Sequence, residues 1–585
     1  MALPRLHSPA SPAASTAPHP TEAEASVAES VEVYHRTYTT LLRSSGEMRL
    51  RVLEMSHKAM NSSLHPLAGS PELDLGAFLY ALRRLPDTLL TGQRVVMGQS
   101  FEVFARQGFA ALERWQELAA PGRRRRWFDD GAGTLAVLVA SASDVDDLVP
   151  TLVAFQIEWN KLHMRLVAAG WDQPPATAPD AAECTATLGG REDDWTQLIE
   201  VWGAQFATRL AMVGQHTMSL HIRMLGGSQV GYARVTRSWW EQVTAVQRAE
   251  GLLDRPTYFV SSNSHSLVNL LSGIAKQREP ELVAFVQNFG DAELREELQR
   301  FREGGSEGDW NNFLYYAARL WFRSVSTDSP VQRERRELEQ RVGIHHVGSR
   351  TALDVAAQVI SLASLDPGRF DPRIGEVDAA ALRESRALIV NIDYPLGLAA
   401  YNILREIAET AGELRGVYIL GKAATLNADV GDVMLSNVIH DEHSGSTYWL
   451  DNVFTVNDIA PWLRFGSGLD NQRAVTVKGT FLQNHGYLDF YYREAFTVVE
   501  MEAGPYCAAV YELSESGRYP TGEPVNFSKL PIDLGVIHYA SDTPFTQART
   551  LGARGLSYFG MDSTYAASVA IVRRVLKLEG ALRGE

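Results

Sequence analysis

From about residue 385 to residue 580, short apolar runs alternate with amphipathic helical segments, and this alternation restricts the possible folds more than any other feature of the chain. Alternating strands and helices are typical of a mainly parallel or mixed sheet that helices cover on both faces. We therefore predict an α/β domain of this kind at residues 381–585.

Polar side chains follow several of these predicted strands. Asp393 ends the first strand, and Lys422 follows the glycine that ends the next. A late strand ends in Ser541 and Asp542, and Asn484 follows a further apolar run. In open α/β sheets, ligands bind beyond the carboxyl ends of the strands. We therefore expect these side chains to contribute to a site for a small molecule.

The chain before this domain follows different patterns. Residues 1–28 are rich in Pro, Ala and Ser, which predicts a disordered tail. Apolar residues recur at helical spacing over much of residues 29–250, which predicts a mainly helical domain. Residues 251–380 mix strand-like and helical patterns, so we predict a connecting region that is helical or α/β.

One turn in this connecting region has the composition of an anion site. Residues 261–266, SSNSHS, lie between an apolar strand and a predicted helix. The free backbone N–H groups and the dipole at a helix start can bind an anion. Ser, Asn and Asp are also the usual helix caps, so the pattern fits either a ligand contact or a cap.

The composition excludes several classes of protein. A formal net charge of −15 argues against broad nucleic-acid binding, because phosphate contacts need clustered Lys and Arg. No apolar run reaches the ~18–20 residues of a membrane-spanning helix, and the N-terminus lacks the apolar core of a secretory signal. Cys184 and Cys507 stand far apart, so we expect no disulfide framework, no zinc site and a cytoplasmic protein. His345 and His346 are adjacent, and a strand would point them to opposite faces, which argues against a metal site.

Three segments of the predicted α/β domain resemble a known family. VVEMEAGPYCAAVYE (Val498–Glu512) resembles the VEMEA segment of the nucleoside phosphorylases, uridine phosphorylases and related nucleosidases. VIHYASDTP (Val536–Pro544) is similar to the family's strand that ends in Ser-Asp. GVYILGKAATLNADVGDVML (Gly416–Leu435) is similar to its glycine turn and the Val-Gly-Asp strand that follows. The three occur in family order, and the resemblance implies the family's α/β fold for about the last third of the chain.

The resemblance also implies roles for individual residues. Met501 and Glu502 would contact the ribose, with Glu502 accepting hydrogen bonds from its hydroxyls. Asp542, beside Ser541, would protonate or hydrogen-bond the leaving base, and Phe481 falls where the family places its base-stacking aromatic. Two structural interpretations stay open: Glu502 could be a helix-start carboxylate satisfied by backbone N–H groups, and Asp542 a helix cap.

The sequence departs from the family at the phosphate site. The phosphorylases usually carry an Arg two residues before the glycine of the turn and a Ser or Thr after it, where this chain has Ile419 and Lys422. The family's first strand, with its glycine-rich phosphate loop, is not evident. Lys422 either contacts a phosphate or carboxylate, or pairs with Asp393 or Asp432. These departures favour hydrolysis over phosphorolysis.

The resemblance thus implies an enzyme that cleaves the N-glycosidic bond of a nucleoside or nucleotide. It implies no cofactor, a small-molecule substrate that includes a purine, phosphate as a co-substrate only in the phosphorolytic case, and a homo-oligomer. Two other functions remain compatible with the same fold: a non-catalytic nucleoside or nucleotide sensor, and a partner-binding protein.

Overall fold

The computed structural model describes residues 22–109, 111–120, 125–171, 178–349, 351–515, 520–544 and 560–584. The predicted disordered tail, residues 1–28, lies mostly outside the described residues, and its last residues belong to the first helix. The described chain forms two mixed sheets with helices packed against them, which confirms the predicted α/β fold class.

The first part of the chain is built around a six-stranded sheet of short strands. Its central strand pairs in parallel with a neighbour on each side, and antiparallel strands extend both edges. The strands are β1 (Met48–Arg49), β2 (Arg94–Gly98), β3 (Gln116–Leu118), β4 (Trp127–Asp129), β5 (Thr134–Leu138) and β6 (His221–Leu225), in the spatial order β1-β6-β2-β5-β4-β3.

Helices outweigh strands among the described residues of this region. The longest helix begins with a capping box, in which the Ser141 and Asp144 side chains bond each other's backbone N–H groups, and it ends at Gly170 with a positive φ. The helices are α1 (Glu22–Ser44), α2 (Arg51–Ala59), α3 (Leu75–Leu82), α4 (Phe101–Arg106), α5 (Ala142–Ala169), α6 (Ala181–Leu188), α7 (Glu192–Trp202), α8 (Phe206–Gln215) and α9 (Gln229–Ala249).

The rest of the chain is built on an eleven-stranded mixed sheet. Its strands are β7 (Pro256–Ser262), β8 (Ile344–Val347), β9 (Ala357–Ser361), β10 (Leu388–Asp393), β11 (Glu413–Thr425), β12 (Val433–Asp441), β13 (Ser446–Trp449), β14 (Gly468–Thr476), β15 (Val498–Glu500), β16 (Pro524–Asn526) and β17 (Asp533–Asp542). They follow the order β16-β13-β12-β14-β15-β11-β7-β10-β9-β8, and β17 pairs with β11 and β12.

This sheet begins earlier in the chain than the boundary expected at residue 381. Strand β7 lies between β10 and β11 and is parallel to both, with Ser262 opposite Asp393 and Ser261 opposite Ile419. Strands β8 and β9 extend the same sheet beyond β10. Residues 251–380 therefore contribute strands to the C-terminal sheet.

Helices cover both faces of the large sheet. Along β11, Val417 and Ile419 pack into the core that holds α9 and two later helices, while Tyr418 and Leu420 pack into the core on the other face. This alternation is the side-chain period of a strand. The helices are α10 (Ser266–Ser272), α11 (Ile274–Gln277), α12 (Glu279–Phe289), α13 (Ala292–Glu303), α14 (Trp310–Ser324), α15 (Pro330–Arg341), α16 (Ala379–Glu384), α17 (Ala399–Thr410), α18 (Val456–Ile459), α19 (His485–Arg493), α20 (Ala503–Ser514) and α21 (Gly560–Leu578).

None of the helices in the described ranges combines the length and the apolar character that crossing a membrane requires.

Candidate functional site

A cavity of about 650 Å³ lies where the carboxyl ends of β7, β10 and β17 meet the first part of the chain. This volume is within the range of ~300–1,000 Å³ that is typical of small-molecule sites. Its wall includes five of the residues predicted from sequence, on β10, β11, β17 and the junction of β15 with α20: Asp393, Lys422, Met501, Glu502 and Asp542. The predicted end of the second strand at Gly421 is wrong, since β11 continues to Thr425 and Lys422 lies within it.

Three other predicted site residues have structural roles away from the cavity wall that the described residues form. Phe481 is buried, with its ring edge-on to the Tyr80 ring at 5.2 Å. The Asn484 side chain accepts a hydrogen bond from the Tyr487 N–H at 2.9 Å and so caps α19. The Ser541 hydroxyl donates to the carbonyl of Ala423 at 3.3 Å.

Glu500 and Glu502 have different hydrogen-bond partners at the start of α20. Glu500 Oε2 accepts hydrogen bonds from the N–H groups of Glu502 and Ala503, both at 2.7 Å, and so satisfies two donors of the helix N-terminus. The Glu502 side chain does not cap this helix. It faces the cavity, where Oε1 accepts a hydrogen bond from the Gly397 N–H at 3.2 Å. The Glu502 carboxylate, which is predicted to bind the ribose, is therefore not used to cap its own helix.

Glu500 is buried close to a second carboxylate. Burial raises the pKa of Glu500 to about 8, and the neighbouring Glu502 adds to the rise. The Thr476 hydroxyl and the two backbone N–H groups at the helix start donate to Glu500 and act in the opposite direction. Because burial dominates, Glu500 is mainly protonated at neutral pH.

Replacing Glu500 by Gln should flatten the pH dependence of stability. Between the usual Glu pKa near 4.5 and about 8, the folded protein keeps a proton on Glu500 that the unfolded chain releases, so wild-type stability falls as pH rises. The expected loss is on the order of 2–4 kcal/mol over this range, and the variant should lack that part of it. Urea unfolding of both proteins at about pH 5 and about pH 8.5 measures the difference. Equal pH slopes for the two proteins would contradict the assignment.

Asp542 is the last residue of β17 and is only 1% exposed. Ala540 lies opposite Ala423 on β11, and Asp542 lies opposite Ala424, so Ser541 is the extra residue of a β-bulge. Such bulges redirect side chains near binding sites, and this one explains why Asp542 lines the cavity and Ser541 does not. Asp542 Oδ1 accepts a hydrogen bond from the Thr543 N–H at 2.8 Å.

Lys422 extends into the cavity without a salt bridge to any described residue. The alternative pairing with Asp393 or Asp432 is not formed, since Asp432 accepts hydrogen bonds from the backbone of Asp429 and Ser467 instead. Burial, and then the positive charge of Arg319, lower the pKa of Lys422. Contact of Lys422 with an anionic ligand stays a prediction.

The turn after β7 caps a helix and also reaches the cavity. Asn263 Oδ1 accepts hydrogen bonds from the N–H groups of His265 and Ser266, at 3.0 and 2.7 Å, and so caps the start of α10. Asn263, Ser264 and His265 also line the cavity. Burial and several surrounding cations lower the pKa of His265 to about 3, so its imidazole is neutral at physiological pH.

The first part of the chain supplies an opposing wall that the sequence analysis missed. The buried Arg84 guanidinium lies 3.4 Å from the centre of the Tyr80 ring. Arg125 is ion-paired with Asp144 and with Asp147, each at 2.7 Å. Arg125 belongs to a run of four arginines, Arg123–Arg126, which fits either an anion or partner patch or a solvated basic loop. No local motif marks Tyr80 or Arg84.

Helix α14 adds two further arginines to the wall, Arg319 and Arg323. They are four residues apart, so they lie on one face of the helix. In the sequence they belong to an ordinary amphipathic pattern, and only their i, i+4 spacing as two cations on a partly apolar helix could have drawn attention to them.

Several solved structures of the nucleoside phosphorylase and nucleosidase type are similar to part of the chain. The 5′-methylthioadenosine/S-adenosylhomocysteine nucleosidase of Neisseria meningitidis, in complex with methylthio-immucillin-A, has 14% identity and a TM-score of 0.27, and the match covers 42% of this chain and 95% of that one. The corresponding nucleosidase of Colwellia psychrerythraea, in complex with adenine, has 11% identity and a TM-score of 0.25, with 40% and 89% covered. Uridine phosphorylase of Vibrio fischeri has 9% identity and a TM-score of 0.27, with 42% and 88% covered. With TM-scores this low, the similarity carries no argument about what this chain does.

No curated protein matches the sequence. Over residues 50–577 the chain matches the sequence model of a family described as a family of unknown function, DUF6909, and it belongs to that family.

Proposed function

We propose that this protein cleaves the N-glycosidic bond of a nucleoside or nucleotide, with water rather than phosphate as the acceptor. The observation that carries the proposal is the position of two carboxylates. Glu502 and Asp542 come from separate strand ends, about forty residues apart in the sequence, and both line one cavity. The resemblance of their sequence segments to those of nucleosidases supports the same roles.

The two carboxylates suit the charges that develop in this reaction. Cleavage passes through a state with positive charge on the ribose and negative charge on the leaving base, and an enzyme gains rate by stabilising both. Glu502 would hold the ribose hydroxyls and favour the positive charge on the sugar. Asp542 would supply, or share, the proton that the leaving base takes up.

The position of Ile419 supports hydrolysis. The phosphorylases that the sequence resembles carry an arginine at this position, whereas Ile419 is only 3% exposed and packs into the core beneath the sheet. The carboxyl end of β7 also reaches the cavity. The turn that follows β7 contains no glycine, so it does not match the family's glycine-rich phosphate loop. A phosphate positioned for attack on the sugar would therefore lack the usual contacts.

The cavity wall that the first part of the chain supplies supports a reaction with limited access to bulk water. Ser63, Leu64, Tyr80 and Arg84 face the strand ends across the cavity. A wall of this kind limits the access of bulk water to a reacting sugar and strengthens the electrostatic interactions inside the cavity.

Base release from a panel of purine and pyrimidine nucleosides and their 5′-monophosphates tests the proposal. The full-length protein is incubated with each compound, with and without inorganic phosphate, and the free base is quantified by chromatography. We expect release of base and free sugar, or sugar phosphate, at a rate that does not depend on added phosphate. Dependence on phosphate would overturn the hydrolytic assignment. Tight binding without any release would favour a sensor.

A further inference from the structure

Three cationic side chains share one part of the cavity wall: Arg319 and Arg323 on α14, and Lys422 on β11. Within the part of the chain that the structure describes, none of the three forms a salt bridge or a side-chain hydrogen bond. Arg319 is half-buried, so its charge is not simply exposed to bulk solvent.

Other enclosed arginines of this chain have carboxylate partners. Arg373 pairs with Asp371 at 2.7 Å, and Arg574 pairs with Asp533 at 2.6 Å. A charge removed from water without a partner is costly, which is why such pairs are the rule. Of the three cavity cations, only Arg319 is partly removed from water, while Arg323 and Lys422 are exposed, and none has a carboxylate partner among the described residues. A ligand that enters the cavity and displaces water from these cations would therefore need to supply negative charge.

The three cations are also close enough to influence one another. Burial, and then the charge of Arg323, lower the pKa of Arg319, while burial and Arg319 lower that of Lys422. The same three cations contribute to the low pKa of His265. Their mutual repulsion is a cost in the unliganded protein that a bound anion would relieve.

The cation wall and the Glu502 carboxylate are built from different elements. Arg319 lies near Tyr539 of β17 and Tyr565 of α21, and its helix packs against α21. Glu502 lies at the start of α20, where it bonds the Gly397 N–H just before α17. An anion on the cation wall would thus contact other elements than those that hold Glu502.

We propose that Arg319, Arg323 and Lys422 bind a phosphate group carried by the substrate, so that the protein acts on a nucleoside monophosphate in preference to a nucleoside. The inference rests on the proposed function for the identity of the rest of the ligand. Arginine presents a planar fork of N–H donors that matches phosphate oxygens, and a phosphate monoester is close to a dianion at neutral pH, which suits a group of three cations.

Calorimetric titration of the full-length protein tests this inference. AMP, GMP, CMP and UMP are compared with the matching nucleosides and with inorganic phosphate, and the Asp542→Asn background is used so that turnover does not deplete the ligand. We expect at least one monophosphate to bind about tenfold or more tightly than its nucleoside, since two or three charge-assisted contacts are added. Arg319→Gln combined with Arg323→Gln should remove most of this preference.

Arg295→Gln is the matched control, because Arg295 is an exposed arginine of α13 that is not part of the cavity wall. It removes one positive charge and should leave the preference for the monophosphate unchanged. The single variant Arg323→Gln, which alters an exposed residue, provides the same test should the double variant be unstable. Lys422→Gln should also weaken binding of the monophosphate more than binding of the nucleoside.

Two results would overturn the inference. If the protein with all three cations intact binds every monophosphate and its nucleoside equally tightly, the wall is not a phosphate subsite. Binding of inorganic phosphate that the double variant abolishes, with no preference for monophosphates, would assign the wall to free phosphate instead of the substrate. Neither result depends on catalysis. Base release that is equally efficient from nucleosides and monophosphates would leave the proposed function standing while this inference fails.

Discussion

Replacing Asp542 by Asn should reduce the rate of base release by about 100-fold to 10,000-fold, the usual contribution of a positioned acid or base. Asn has nearly the same shape as Asp and can still accept a hydrogen bond from the Thr543 N–H, so the strand end should keep its structure. It cannot deliver a proton to a leaving base. The loss should therefore appear in kcat, with little change in KM.

Asp489→Asn provides the control for this experiment, since Asp489 is exposed on α19 and does not line the cavity. Steady-state kinetics of both variants, with circular dichroism to compare their folds, separates a chemical effect from an effect on folding. A folded Asp542→Asn protein with wild-type kcat would remove Asp542 from the mechanism. A large change in KM alone would instead give it a binding role.

The sequence contained enough information to predict the strand ends of the last third of the chain. Asp393 and Asp542 each follow a short apolar run and end β10 and β17, and parallel strands bring such ends to one edge of a sheet. Lys422 also follows an apolar run, but it lies within β11, which continues to Thr425. The structure places all three on the cavity wall. Glu502 follows the same logic, because a strand runs directly into its helix.

The position of β7 in the sheet could not be predicted in the same way. Helices α10–α15 separate it from β8 along the chain, and the periodicity of a strand does not reveal which distant strand it pairs with. The cavity wall formed by Arg84, Arg319 and Arg323 depends on the same long-range packing. Phe481 shows the opposite problem, since its sequence position fits a base-stacking role while its ring lies in a core beside Tyr80.

A buried network of ionisable groups centred on Glu158 lies next to the part of the cavity wall that includes Leu64. Its Oε1 atom lies 2.8 Å from His65 Nε2 and 2.6 Å from Lys161 Nζ, and its Oε2 atom accepts a hydrogen bond from the Asp74 N–H at 2.7 Å. The His65 ring also bonds His57 at 3.0 Å. All of these side chains are less than a tenth exposed, so the network has little access to water that could replace a lost partner.

Replacing Glu158 by Gln should lower the free energy of unfolding by about 3–5 kcal/mol, because Lys161 and His65 would lose a buried carboxylate. Glu409→Gln is the matched control, since Glu409 pairs with Arg405 on the surface and its loss should cost no more than about 1 kcal/mol. Urea unfolding followed by circular dichroism measures both. His65 directly follows Leu64, which lines the cavity, so loosening the network should also weaken ligand binding to the folded protein. A Glu158→Gln protein as stable as Glu409→Gln would show that the backbone carbonyls of Leu67 and Glu72, which accept hydrogen bonds from Lys161, are enough to hold this charge.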